Sequence, residues 1–141
     1  VSEATPSAES TPSHEEEQAA SIEALRRSGR PFLLADHQGL ILEINESFQQ
    51  EYGWSPDDVL QRPLSLILPD AFKLSHHLGF SRFQVTEQSK VLNHPLRLRT
   101  VCLTGEEVVS EHFIVAVKRG DYWCFGATLT PLPEGTEPTV G

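Results

Sequence analysis

The last third of the chain decides most of what it can become. HPLRLRTVCLT (94–104), EVVSEHFIVAVK (107–118) and YWCFGATLT (122–130) are three consecutive runs rich in β-branched and aromatic residues. Gly105 separates the first two, and Arg119-Gly120-Asp121 the second pair. Strands joined this tightly pair antiparallel, because a parallel return needs a crossover of about a dozen residues or more. The three runs therefore form a meander. FLLAD (32–36) and LILEIN (40–45), joined by HQG with Gly39 in the turn, form a separate hairpin.

The stretch between the two strand blocks reads as helical. SFQQEYG is a short helix that Gly53 can end. SPDDVL is another, with Ser55 as N-cap and Pro56 at its first position. Pro63 and Pro69 bracket PLSLILP, and a longer helix over 70–89 starts at Asp70 as cap. Two strand blocks with helices between them give an α+β fold: a five-stranded antiparallel sheet with helices on one face. Such an arrangement encloses a pocket between the long helix and the sheet.

Both ends differ from this body. Residues 1–14 form a disordered acidic tail, too polar to offset the entropy of ordering. A flanking helix is expected over 15–29, with Ser13 and Glu16 at capping-box spacing and Gly29 and Pro31 at its stop. Ala19, Ile22 and Leu25 give that helix one thin apolar seam, which packs on a domain or a partner helix. The folded domain spans 30–131, and 132–141 is a flexible tail.

Net charge is −9, but residues 1–20 carry five acids and no Lys or Arg, and 131–141 carry two more acids. The body holds 13 acids against 11 bases, with no basic stripe, so nucleic-acid binding is excluded as a working class. No run is long enough to cross a bilayer, and no signal-peptide pattern is present. Methionine is absent, as expected of a processed chain or a piece of a longer one. Cys102 and Cys124 lack metal spacing and read as small apolar strand residues, in keeping with a reducing cytoplasm.

ADHQGLILEINESFQQEYGWSPDDVLQRPLSLILP resembles the first half of a PAS domain, and HHLGFSRF with the meander resembles the second. The positions carrying the resemblance are Asp36 and Gly39 in the first turn, Asn45 and Phe48 after the second strand, Tyr52-Gly53-Trp54-Ser55 before the acids Asp57 and Asp58, and Pro69. Three positions depart from the pattern. Gln61 stands where the family often has glycine, Thr104 where an aspartate usually precedes the turn glycine, and ATLTPL lacks the Asp-x-Thr that often leads into a signalling helix. Pro131 and Pro133 argue against a continuous helix leaving the domain.

On the 70–89 helix, Phe72, His76, Gly79, Phe80 and Phe83 share one stripe, so His76 faces inward and His77 faces water. In haem-binding PAS domains the iron ligand is a histidine on this helix, with an arginine further along it pairing a propionate. His76 and Arg82 resemble that pair in spacing, with Lys90 at the position of a second propionate partner. The oxygen-gating arginine of those sensors falls at Leu96, and Arg97 belongs to the opposite face. A structural histidine, a haem ligand and a contact to another pocket ligand all remain open for His76. The Asn-Cys-Arg-Phe motif of flavin-binding members is missing.

No Gly-x-Ser-x-Gly, P-loop or His-Glu-x-x-His motif is present, and His112 reads as an exposed or edge histidine. The resemblance implies a regulatory module, not an enzyme, serving a histidine kinase or a cyclic-dinucleotide enzyme in the cytoplasm. It would sense a small ligand or mediate dimerisation. A homodimer through the sheet face and the N-terminal helix is the expected assembly.

Overall fold

The computed structural model describes residues 21–70, 73, 92–93 and 95–139. The expected acidic tail, the Ser13 cap and nearly all of the 70–89 helix lie outside them. Five strands form one sheet: β1 (Phe32–Ala35), β2 (Ile41–Ile44), β3 (Leu96–Val101), β4 (Glu107–Arg119) and β5 (Tyr122–Pro131). Their order is β2-β1-β5-β4-β3, and every neighbouring pair is antiparallel. The hairpin and the meander thus form as the sequence predicts, and β5 joins them by pairing with β1.

The chain is helical over 21–26 (α1), at Glu46–Tyr52 (α2) and at Pro56–Val59 (α3), with a 3-10 turn at Leu64–Ile67. Strand alternation sends Leu33, Ala35, Ala127 and Leu129 to one face, where they pack with Phe48, Tyr52, Trp54 and Val59 from the α2–α3 region. The opposite face carries Phe32, Val115 and Val117, which pack against Ile22 of α1. The described part of the flanking helix's apolar seam, Ile22 and Leu25, therefore closes on its own domain. Ile22 is 1% exposed, and burial of a side chain of that size contributes roughly 2 kcal/mol.

Two further contacts seat α1. A Cβ on Gly126 would stand 3.1 Å from Ile22 Cγ1, so the helix needs a bare backbone at that point of β5. The Arg26 guanidinium donates to both carboxylate oxygens of Glu43 on β2, at 2.9 and 3.0 Å, and lies over the Phe32 ring. Glu23 takes a further bond from Arg26.

The first strand-to-helix junction turns on Asn45. Its Oδ1 accepts from the backbone N–H of Phe48, capping α2, and from that of Phe32 at the start of β1. Its Nδ2 donates to the Arg30 carbonyl. At the other end of α2, Gly53 adopts φ 82° and donates to the Gln49 carbonyl. Ser55 and Asp58 complete a capping box around α3, with Pro56 inside its first turn.

Gln61 also takes a left-handed conformation, φ 65°. Its N–H donates to the Ile41 carbonyl, while Ile41 donates to Arg62, so this turn pins the outer edge of β2. Replacing Asn45 by alanine should lower unfolding free energy by about 2 kcal/mol in urea titration, with Asn45→Asp, which keeps the acceptor, losing less. Gln61→Gly should raise it by up to about 1 kcal/mol, because relief of the left-handed strain outweighs glycine's entropic cost.

Candidate functional site

The helix-covered face of β3 and β4 presents Leu96, Leu98 and Thr100 opposite His112, Ser110 and Val108. Three of these six are polar and buried: Thr100 and Ser110 at 0% exposure and His112 at 6%. Buried polar groups require partners. The Ser110 hydroxyl lies 2.5 Å from the Tyr52 hydroxyl of α2. His112 Nε2 lies 3.0 Å from Thr100 Oγ1. Two hydroxyl-bearing pairs thus sit side by side, one tying α2 to β4 and the other tying β3 to β4.

The hydrophobic cluster on this side of the sheet includes Tyr52, Leu129 and Cys102, with partly buried Val108 and Ile114 packed against it. Burial drives the His112 pKa down to about 4, while a hydrogen bond to the Leu98 backbone works weakly the other way. The imidazole is neutral at physiological pH, so it offers one donor and one acceptor. Burial also lifts the Tyr52 phenol to about 12, partly opposed by its bond to Ser110. Burial pushes the Cys102 thiol up, which keeps it protonated. The result is an uncharged set of hydrogen-bonding groups buried in the core.

An imidazole beside a hydroxyl is the first part of a nucleophilic relay. The described bonds of His112 go to Thr100 and the Leu98 backbone, with no carboxylate to orient the ring. Among the described residues no cluster of His, Cys, Asp or Glu has metal-binding geometry. The described geometry is that of two mutually satisfied polar pairs on one sheet face.

Two bonds fasten this face at the open end of the sheet. Trp54 Nε1 donates to the Val101 carbonyl at 2.9 Å, and the Leu103 N–H donates to the Tyr52 carbonyl at 3.0 Å. Leu96 faces inward, while exposed Arg97 belongs to the opposite face, as strand alternation requires. His76, Arg82 and Lys90 lie outside the described residues.

The reading of His112 as an exposed or edge histidine is corrected: it is buried on the helix-covered face. In EVVSEHFIVAVK the set Val109, Phe113, Val115 and Val117 is the more apolar, which assigns His112 to solvent. The structure covers both faces, one by α2 and α3 and the other by α1, so hydropathy alternation no longer identifies the wet side. Register against LRLRT was the available signal, since it sets Ser110 and His112 opposite Leu98 and Leu96.

No family model matches the chain, and no curated protein is similar to it. Solved structures are similar in fold. The PAS domain of a Desulfitobacterium hafniense protein aligns with a TM-score of 0.62 at 14% identity, covering 78% of this chain and 99% of that one. The PAS domain of an HTR-like protein from Haloarcula marismortui gives a TM-score of 0.55 at 20% identity, covering 83% and 93%. The PAS-B domain of a Drosophila melanogaster Cycle variant with bound glycerol gives 0.58 at 10% identity, covering 72% and 99%.

The buried histidine makes stability depend on pH. An unfolded histidine titrates near 6.5, whereas His112 titrates at about 4, so between these values only the unfolded chain takes up the proton. Its contribution is complete above pH 6.5 and is lost as pH falls towards 4, amounting to about 3 kcal/mol over that range. Urea midpoints measured at pH 7, 5.5 and 4.5 should fall more steeply for the native chain than for His112→Gln.

Proposed function

We propose, for a chain that has the PAS fold, that it is a sensory module whose helix-covered sheet face receives a small uncharged ligand. The observation that carries this reading is the pair of buried hydrogen-bonding couples, Tyr52–Ser110 and Thr100–His112, in an otherwise apolar core. A neutral imidazole and neutral hydroxyls complement hydroxyl, carbonyl or amide groups of a ligand, not a full charge. Binding there would bias the packing of α2 against β3 and β4 and so shift the balance between two arrangements of the module. Any catalysis would belong to a separate output domain, such as a histidine kinase or a cyclic-dinucleotide enzyme in the cytoplasm, and the working domain limits are 30–131.

A second reading is ligand-free docking or dimerisation. It is favoured by Leu34 and Phe113, apolar residues packed beside the α1 cluster that remain only partly buried. A homodimer through the sheet face and the N-terminal helix is the form it would take. Haem at His76 with Arg82 rests on spacing alone and is the least supported reading.

Among the described residues no helix is long and apolar enough to cross a membrane. Native mass spectrometry of the purified chain should show a bound small molecule that Tyr52→Phe and Ser110→Ala each deplete. The same spectra give the number of chains per particle. A ligand-free mass with two chains per particle would replace the sensing reading with the docking one, and a colourless solution would remove haem.

A further inference from the structure

After β5 the described residues 132–139 run back along the domain. The Leu132 N–H donates to the Val109 carbonyl, a turn closes between Pro133 and Thr136, and Thr139 reaches the outermost strand. There its N–H donates to the Arg97 carbonyl at 2.6 Å, and the Arg97 N–H donates to Thr139 Oγ1 at 2.9 Å. Between these anchors a groove of about 380 Å³ remains, lined by residues including Arg99, Val109, Leu132 and Pro133. The segment is held at its two ends by hydrogen bonds and is not packed flush along its length, so it can be released without opening the core.

β3 is gripped from two sides. Its outward backbone at Arg97 holds Thr139, and its inward side chain at Thr100 holds His112. Both contacts belong to one six-residue strand, which joins them as a stiff element. We propose that residues 132–139 form a strap that reports the position of β3, so that a change on the helix-covered sheet face passes out of the domain through this segment. The proposal rests on the sensory reading for its input but not for its physical coupling.

Amide hydrogen exchange on the full chain tests it. The Thr139 N–H should be protected in the native protein. Thr100→Val, which removes the His112 partner at constant shape, should speed Thr139 exchange by about tenfold, while Tyr52→Phe, which breaks the pair centred on β4, should leave it unchanged. Coupling is reciprocal, so the surface change Thr139→Ala should shift the His112 ring signals in NMR spectra. This second arm holds even if Thr100→Val does not fold.

An unprotected Thr139 amide, equal acceleration by both inner-face variants, or unmoved His112 signals in Thr139→Ala would overturn the strap. None of these readouts requires a ligand. Failure of the strap therefore leaves ligand sensing intact, and an empty pocket leaves the strap intact.

Discussion

One side-chain amide ties the architecture together. Asn45 sits where β2 gives way to α2, and its two ends satisfy backbone groups of three separate segments: Arg30 in the linker, Phe32 at the start of β1, and Phe48 in the first turn of α2. Those bonds decide how the linker from α1 approaches the sheet and how α2 departs from it. Phe48 and Tyr52 then fall on the buried side of α2, with ring centres 5.1 Å apart, and Tyr52 comes within reach of Ser110. The Tyr52–Ser110 couple thus depends on a junction at the far end of the helix that supplies the phenol.

Local chemistry made much of this legible in advance. Capping residues, turn glycines and β-rich runs act over a few residues, and the Asn45, Gly53, Ser55 and Pro56 signals all gave the structures that their chemistry implies. Gln61 shows the same principle from the other side: it holds a left-handed turn that glycine would fit better, so no turn residue announces it. The pairing of β1 with β5 is consistent with the α+β pattern but is written in no short motif, because it joins residues almost a hundred positions apart.

The buried histidine was illegible for a different reason. Alternation separates inside from outside only when one face of a sheet meets water. Here α1 lies across the second face, so Val115 and Val117 are as much core as Leu129 is. The cue that would have moved His112 inward is a strand register, and registers become firm only once the turn at Gly105 and the partner strand are fixed.

The outer strands of the sheet carry a further consequence. On β2, Ile41 exchanges two backbone bonds with Gln61 and Arg62; on β3, Trp54 engages Val101 and Thr139 engages Arg97. An exposed strand edge is a template on which another chain can add its own strand. With both margins occupied at these points by the chain itself, the sheet resists growing sideways into a shared ladder. An extended segment of any other chain then meets backbone groups that already have partners at these points.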